Sequence, residues 1–465
     1  MFVGRQRELE KLGEMYESGR FECAIIYGRR RVGKTTLINE FVKDKKVIYF
    51  TGIESSAGVN LENLSRCIME AQFGPKMDAV FTDFQTALDY LHEISADERI
   101  IMVIDEFPYL AASYRAISSL LQVQIDTKYK SGKLMLILCG SSMSFMENQV
   151  LGYKSPLYGR RTAQFKILPF NFSETLAYFR RFDKYDTALM YGVTGGVPQY
   201  LEFIDDSLSA ETNIKRCFLD PNAFLYEEPT NLLKQEVRDP AYYNAIIRAI
   251  AKGASRNSEI ASKTDMETGA CANYLKNLTD LGIVRRETPM TERSARKAVY
   301  RISDGMFRFW YRFVPDNTAL IARGMTDVLW KRIAPQLPGF MGGVFEDICK
   351  QWLWEENAAG RLPVLFTDAG RWWGGDPIKK QETEIDILAV SDDEPALFAE
   401  CKWTGEKVDA DTAETLVYRG GLFNCTRRHF YIFSKAGFTQ RCVRYAAARG
   451  VNLISFDSMF AQSTA

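Results

Sequence analysis

Residues 28–35 read Gly-Arg-Arg-Arg-Val-Gly-Lys-Thr, and this stretch decides the fold of the first part of the chain. It lies between an apolar run at 23–27, which predicts a buried strand, and a helical pattern over 35–42. A G-x4-G-K-T loop between a strand and a helix is typical of a phosphate-binding P-loop. Its glycines let consecutive backbone N–H groups face a phosphate, and the following helix adds the partial positive charge of its N-terminus.

The motif also predicts what each loop residue does. The Lys34 amine should reach the β- and γ-phosphates, and the Thr35 hydroxyl should be a ligand of Mg²⁺. ATP and Mg²⁺ are therefore the expected cofactors. The residues expected to bind the nucleotide in and next to the loop are Gly28, Arg29, Arg30, Arg31, Val32, Gly33, Lys34, Thr35 and Thr36.

A second nucleotide element follows at 100–106, which reads Ile-Ile-Met-Val-Ile-Asp-Glu. The apolar residues predict a buried strand with two carboxylates at its C-terminal end. Asp105 should hold Mg²⁺, and Glu106 should polarise an attacking water as general base. Another apolar run at 134–138 leads to Gly-Ser-Ser at 140–142. Ser141 there either senses the γ-phosphate and orients the water, or caps a helix.

Two arginines, Arg160 and Arg161, follow Leu-Tyr-Gly at 157–159. They form either an arginine finger that stabilises transition-state charge or a solvated surface pair. A finger could act within its own chain or on a neighbouring copy, so the sequence leaves homo-oligomer formation open.

Composition sets limits on the class of protein. The 465 residues predict about two to four domains. Lys+Arg and Asp+Glu both number 59, so any nucleic-acid surface must be a local basic patch. Nine scattered cysteines without a CxxC and only two histidines argue against a zinc finger. The charged N-terminus and the lack of long apolar runs predict a cytoplasmic protein without a membrane partner.

Residues 242–302 have the order of a winged helix: three helical patterns, then two strand-like pieces. This segment contains eleven Lys and Arg residues but only six acidic residues. Arg293, Arg296 and Lys297 lie at the expected tip of the wing, where they would suit DNA phosphates. The alternative is a winged helix that only packs against protein.

The last region carries a second set of charged residues. Residues 384–388 read Glu-Ile-Asp-Ile-Leu, and residues 400–402 read Glu-Cys-Lys. Asp386 and Glu400 would be metal ligands, Lys402 would orient a water, and Glu346 in an upstream helix could complete the site. The alternative is two half-buried strands with solvated charges.

Six motifs together resemble the archaeal-type ATPase family, in the AAA+/STAND branch of P-loop ATPases. They are Phe2-Val3-Gly4-Arg5, the P-loop, Ile104-Asp105-Glu106, Gly140-Ser141-Ser142, Leu157-Tyr158-Gly159-Arg160-Arg161 and Thr194-Gly195-Gly196-Val197-Pro198-Gln199-Tyr200. The resemblance covers residues 1–235 and implies an ASCE-type sheet with the Walker-B strand between the P-loop strand and the sensor strand. It also implies that the segment from Phe2 to Arg5 wraps the adenine and that the Gly-Gly-x-Pro segment belongs to a helical lid.

Glu346, Asp386, Glu400 and Lys402 resemble the PD-(D/E)xK nuclease superfamily. With Arg371-Trp372-Trp373, they look like the C-terminal domain that often follows archaeal-type ATPase modules. This resemblance covers residues 340–450 and implies metal-dependent DNA cleavage, although members of the group can lose activity and keep a binding role.

We therefore predict an α/β protein with an ASCE-type parallel sheet, a helical lid, a winged helix and an α/β restriction-endonuclease-like domain. The expected boundaries are 1–165 for the ATPase core, 166–238 for the lid, 239–305 for the winged helix, 306–339 for a helical connection and 340–465 for the nuclease-like domain. The predicted function is ATP hydrolysis coupled to DNA binding and cleavage. The alternative is an ATP-dependent switch or scaffold that binds nucleic acid or protein without cutting.

Overall fold

The computed structural model describes residues 2–75, 79–291 and 297–460. The chain forms two compact units. Unit 1 extends to Phe170 and also includes Val197–Gln199, whereas unit 2 comprises Asn171–Gly196 and the chain from Tyr200 onward. Each unit contains its own five-stranded sheet.

The sheet of unit 1 is parallel throughout. Its strands are β1 (Glu22–Tyr27), β2 (Val47–Thr51), β3 (Ile101–Asp105), β4 (Met135–Gly140) and β5 (Ala163–Lys166). Their order across the sheet is β2-β3-β4-β1-β5. Every residue of β1, β3 and β4 is buried, which explains why these strands are continuous apolar runs in the sequence.

Helices cover both faces of this sheet, as predicted. They are α1 (Gln6–Glu17), α2 (Lys34–Val42), α3 (Ala57–Phe73), α4 (Phe84–Ile94), α5 (Phe107–Ser113), α6 (Ile117–Thr127) and the short α7 (Met143–Phe145). Alternate strand residues point to opposite faces, so Ile25 packs in one apolar cluster with Leu64 of α3, and Ile26 packs in the other with Leu37 of α2.

The predicted position of the Walker-B strand is wrong. Strand β4 pairs with both β1 and β3, so the sensor strand lies between the P-loop strand and the Walker-B strand. Chain order does not fix the order of parallel strands, because a crossover helix can carry the chain past one neighbour. The carboxyl ends of β1, β4 and β3 consequently lie side by side at one edge of the sheet.

Unit 2 begins with helices and continues into three helices and a hairpin. The helices from this boundary onward are α8 (Phe172–Tyr178), α9 (Lys184–Thr194), α10 (Pro198–Leu201), α11 (Ala210–Phe218), α12 (Phe224–Glu236), α13 (Pro240–Ala251), α14 (Asn257–Lys263) and α15 (Thr268–Asp280). The antiparallel hairpin joins β6 (Val284–Glu287) to β7 (Val299–Ile302). Helices α13 to α15 and the hairpin share one apolar core, so the order of elements predicted over 242–302 is confirmed.

Four helices lead into the last sheet: α16 (Gly305–Phe313), α17 (Thr318–Ala322), α18 (Thr326–Ile333) and α19 (Leu337–Ala358). The strands are β8 (Asp368–Asp376), β9 (Gln381–Ser391), β10 (Glu394–Lys402), β11 (His429–Ser434) and β12 (Val451–Ser455). Strands β8 to β10 are antiparallel, and β10 to β12 are parallel. Helices α20 (Ala410–Gly420), α21 (Gln440–Arg449) and α22 (Phe456–Met459) complete this part.

Strand β8 was not predicted from the sequence. Its residues Asp-Ala-Gly-Arg-Trp-Trp-Gly-Gly-Asp contain three glycines and lack a regular apolar alternation. It lies at the edge of the sheet, where only one neighbour is available for pairing. None of the helices within residues 2–75, 79–291 and 297–460 has the length and apolar character needed to cross a bilayer.

Candidate functional site

The loop between β1 and α2 has the curled backbone that a phosphate cradle requires. Gly33 has a φ of 88° and immediately precedes α2, and Arg31 has a φ of 75°. A Cβ atom at Gly28 would lie 2.3 Å from the backbone oxygen of Ile167, which belongs to the chain just after β5. Only glycine therefore fits at the start of the loop.

The Lys34 amine lies inside the loop. Its Nζ donates hydrogen bonds to the carbonyl oxygens of Gly28 and Arg29, each over 3.0 Å. Burial lowers the pKa of Lys34 from its ordinary value. A desolvated ammonium gains more from a phosphate oxygen than an exposed one, so this position suits binding of a polyphosphate.

The two expected magnesium ligands are in contact. The Thr35 Oγ1 donates to Oδ2 of the buried Asp105 over 3.0 Å, which joins the first turn of α2 to the end of β3. The Tyr49 hydroxyl donates to the same oxygen over 2.8 Å. A hydroxyl and a carboxylate form an oxygen-only donor set, which fits Mg²⁺ when phosphates and water supply the remaining ligands. Tyr49 had no predicted role at this site.

Ser141 contacts Glu106, the expected general base. Glu106 follows β3 with a φ of 48° and is the N-cap residue of α5. The Ser141 Oγ donates to Oε2 of Glu106 over 2.9 Å, and the Ser141 backbone N–H points to the same oxygen at 3.4 Å. Ser142, rather than Ser141, precedes α7, and its side chain makes no capping hydrogen bond. Ser141 is therefore not the residue that precedes α7, and its expected role at the γ-phosphate stays a prediction.

Two other segments flank the loop. Arg5 donates to the carbonyl oxygens of Val32, over 3.3 Å, and Leu168, while Phe2 packs against the apolar cluster that contains α1 and α2 residues. The Gln199 N–H donates to the carbonyl oxygen of Arg31 over 3.4 Å. The N-terminal segment and residues 197–199 therefore both lie beside the predicted nucleotide site.

Within the loop itself, the Arg30 guanidinium donates to the Tyr109 hydroxyl over 2.9 Å. Thr36 is exposed on the first turn of α2.

The Arg160 side chain contacts residues outside the phosphate-binding loop. Its guanidinium contacts Asp126 of α6 at 2.5 Å and donates to the carbonyl oxygens of Pro156 and Tyr158. Arg161 lies over the Tyr158 ring at 5.8 Å. Among the described hydrogen bonds, none joins Arg160 to the phosphate-binding loop, and its ion pair matches the alternative of a surface charge pair.

In unit 2, the predicted acids of the last sheet approach one another. Asp386 on β9 and Glu400 on β10 are each 8% exposed. The Asp386 Oδ2 accepts a hydrogen bond from the Cys401 N–H over 2.8 Å. Burial, together with the carboxylates of Glu400 and Glu346, raises the pKa of Asp386 to about 7. The three carboxylates therefore lie within electrostatic range of one another.

Cations engage the other two carboxylates. Lys402 donates to Oε1 of Glu400 over 2.6 Å, and Arg419 of α20 donates to Oε2 over 3.2 Å. The Oε2 of Glu346 lies 3.7 Å from Arg301 and 3.6 Å from Arg371. Arg301 and Arg419 had no predicted role at this site.

These contacts involve the same carboxylates that were expected to bind a metal ion. In the part of the chain that the structure describes, no group of three or more His, Cys, Asp or Glu side chains could hold a metal ion. The expectation that Asp386 and Glu400 hold a divalent ion does not fit this arrangement, because ammonium and guanidinium groups bind the Glu400 oxygens that a metal would need.

Acidic partners also neutralise part of the basic charge expected to face DNA. Arg285 of β6 binds Asp347 over 2.8 Å, and Lys276 of α15 binds Asp280 over 2.8 Å. Lys297 is exposed where the description resumes, whereas Arg293 and Arg296 lie outside the described residues.

Comparisons with known proteins match two parts of the chain to protein families. Residues 2–204 match a family described as an ATPase domain predominantly from Archaea, and residues 310–413 match Archaea bacterial proteins of unknown function. An uncharacterized protein of Methanocaldococcus jannaschii is 35% identical over 425 residues, covering 90% of each chain. An uncharacterized ATP-binding protein of the same organism is 49% identical over 47 residues, which are 10% of this chain and 80% of that protein.

A solved structure supports the fold alone. The Walker-type ATPase of Pyrococcus abyssi aligns with a TM-score of 0.51 at 19% identity, covering 67% of this chain and 96% of that one.

Proposed function

The chain belongs to the archaeal-type P-loop ATPase family, and we propose that it binds ATP with Mg²⁺ at residues 28–35 and hydrolyses it. The contact between Thr35 and Asp105 carries this proposal. These residues are 70 positions apart and come from two separate nucleotide motifs, yet their side-chain oxygens lie 3.0 Å apart. That distance suits two groups that share one small, hard cation.

The chain's own residues divide the work of hydrolysis. Lys34 binds either the oxygen that bridges the β- and γ-phosphates or a phosphate oxygen next to it. Glu106 accepts the proton of the attacking water. Ser141 holds the Glu106 carboxylate in place through their 2.9 Å hydrogen bond. Thr35 and Asp105 would hold Mg²⁺, which would supply positive charge to stabilise the phosphates.

Isothermal titration with ATP and Mg²⁺ tests the binding part of this proposal. Lys34→Ala should weaken ATP binding at least about tenfold, because a buried charge-assisted contact to phosphate is lost. Lys43→Ala is the matched control, since that lysine is 62% exposed and pairs with Glu40 at the end of α2. Equal ATP affinity in Lys34→Ala and in the control would contradict the proposed site.

We also propose that DNA is a partner of the winged-helix-like part, through α14, α15 and the outer face of the hairpin. Lys263 and Arg286 are exposed and have no acidic partner among the described ion pairs, so they remain available to phosphates. The inner face of the hairpin instead packs on protein: Arg285 binds Asp347, and the Met290 N–H donates to the carbonyl oxygen of Arg371 over 2.8 Å. DNA binding on the outer face and packing against protein on the inner face can therefore occur in the same segment.

For the last domain we propose the alternative in which it binds without cutting. The observation that favours it is the position of Glu400 between Lys402 and Arg419. Incubation of plasmid and single-stranded DNA with Mg²⁺ or Mn²⁺, with and without ATP, tests this proposal. No cleavage is expected. Metal-dependent cleavage that disappears in Asp386→Asn would instead support the nuclease function.

A further inference from the structure

A cavity of about 590 Å³ lies in unit 2, between α13, the hairpin, α16 and the first turns of α19. Its volume falls within the range of about 300–1,000 Å³ that is usual for small-molecule sites. Ile250, Ala254 and Phe340 give it an apolar wall, and Tyr300 adds an aromatic ring. None of its lining residues belongs to the P-loop, so the cavity is separate from the proposed ATP site.

Positive charge dominates the lining. Four guanidinium groups and one carboxylate line the cavity, from Arg285, Arg301, Arg308, Arg312 and Glu346. Asp347 binds two of these arginines from the side, Arg285 over 2.8 Å and Arg308 over 3.0 Å. Arg301 and Arg312 are the remaining two cations, and they therefore determine the charge of the ligand that the cavity would bind.

Among the described residues, neither of these two arginines donates a hydrogen bond to a carboxylate. Arg301 lies 3.7 Å from Glu346 and 3.9 Å from Glu287, and Arg312 has no ion pair among the described residues. Burial and the neighbouring Arg371 lower the pKa of Arg301, whereas Arg312 is an exposed side chain that an anion in the cavity can reach. Guanidinium groups stay protonated in proteins, so an anion that enters would meet fixed donors.

Three glycines of α19 line the cavity beside the arginines. Gly339, Gly342 and Gly343 line the cavity at helical spacing. A Cβ atom added to Gly339 would lie 3.6 Å from Arg312 Nη2, and one added to Gly343 would lie 3.8 Å from Arg308 Nη1. No atom lies within 4 Å of the corresponding position at Gly342, so the space beside the helix is open to a ligand.

From this cluster we propose that the cavity binds a nucleoside phosphate, with its phosphate on Arg301 and Arg312 and its base or sugar against the apolar and aromatic wall. The planar fork of arginine pairs with two phosphate oxygens at once, and a terminal phosphate has three peripheral oxygens that two arginines can share. The volume accommodates more than inorganic phosphate. The nucleoside phosphate could be a free nucleotide or the 5′-phosphorylated end of a nucleic acid, because both present the same group. This proposal does not rest on ATP binding at the P-loop.

AMP is the probe, because it lacks the β- and γ-phosphates that Lys34 would hold. We expect AMP to bind the full chain in isothermal titration, and to bind Lys34→Ala equally well. Arg312→Ala should weaken binding about tenfold or more, since one charge-assisted phosphate contact is lost. Gly342→Leu should have the same effect by filling the cavity. Gly13→Leu is its matched control, because that glycine is also helical with no atom within 4 Å of a Cβ.

Competition identifies the source of the phosphate. A 5′-phosphorylated single-stranded decanucleotide that displaces AMP assigns the cavity to nucleic-acid ends, and failure to displace it assigns the cavity to free nucleotide. The proposal is overturned if neither AMP nor the oligonucleotide binds at millimolar concentration, or if Gly342→Leu and Arg312→Ala both bind AMP like the wild type. Loss of AMP binding in Lys34→Ala alone would place the nucleotide in the P-loop and also overturn it.

Discussion

Replacing Glu106 with glutamine should separate ATP binding from ATP hydrolysis. Glutamine keeps the size of the side chain and an oxygen that can accept the hydrogen bond from Ser141 Oγ, which is 2.9 Å long. The contact between Thr35 and Asp105 is untouched, so Mg²⁺ and ATP should bind as before. An amide cannot accept the proton of the attacking water, so the chemical step should fail.

The contacts give the size of the effect. Loss of a general base slows a reaction by about 10² to 10⁴, which is roughly 3–5.5 kcal/mol of barrier. Ser141→Ala removes one hydrogen bond to a charged group, worth about 1.5–3 kcal/mol, so the rate should fall by about tenfold to about 150-fold. Because Ser141 acts through the Glu106 carboxylate, the double variant should be hardly slower than Glu106→Gln alone.

Single-turnover phosphate release at saturating ATP measures these rates, and titration of the same proteins measures ATP affinity. Glu98→Gln is the control, because Glu98 is 57% exposed and its described ion pair is with Lys46. Hydrolysis by Glu106→Gln at the wild-type rate would refute the assignment of the base. Fully additive losses in the double variant would refute the coupling of Ser141 to Glu106.

Three further predictions concern stability and DNA. Gly28→Ala should lower the free energy of unfolding by about 1–3 kcal/mol in urea titrations, because its Cβ would lie 2.3 Å from a backbone oxygen, whereas Gly13→Ala should not. The pKa of Asp386 is raised to about 7, so the unfolded state ionises first as the pH rises, and the native state should lose about 1.4 kcal/mol per pH unit between about pH 4 and 7. Urea midpoints across this window should show that loss in the wild type and not in Asp386→Asn. Arg286→Ala should reduce the log–log salt slope of DNA binding by about one, and an unchanged slope in filter binding would remove Arg286 from the DNA surface.

The nucleotide site was largely predictable because its information is local. The P-loop, the acids after β3 and the serine after β4 each follow a buried strand, and parallel strands end at the same edge of a sheet. The order of those strands was not predictable, because it depends on where each crossover helix returns. A role for Tyr49 was not predictable for the same reason, because its hydrogen bond to Asp105 depends on the pairing of β2 with β3.

The C-terminal cluster was only half predictable. Alternating charged and apolar residues located β9 and β10 and put Asp386 near Glu400. The partners of these acids could not be predicted, because Arg419 comes from α20 and Arg301 from the hairpin, and their positions depend on packing between distant elements. These cations decide whether the acids are free to bind a metal.

Helix α19 shows tertiary packing overriding local propensity. Residues 337–344 include Pro338 and three glycines, which disfavour helix. The helix nevertheless begins at Leu337, and the first part of it buries Phe340, Met341 and Val344. That early start is what places the glycine face beside the arginines of the cavity.

Steady-state phosphate release by the full chain tests the central claim most directly. We expect ATP-dependent release that requires Mg²⁺, stops when EDTA is added, and is abolished by Lys34→Ala but not by Lys43→Ala. Release by Lys34→Ala at the wild-type rate, or no release by the wild type at any Mg²⁺ concentration, would contradict ATP hydrolysis at residues 28–35.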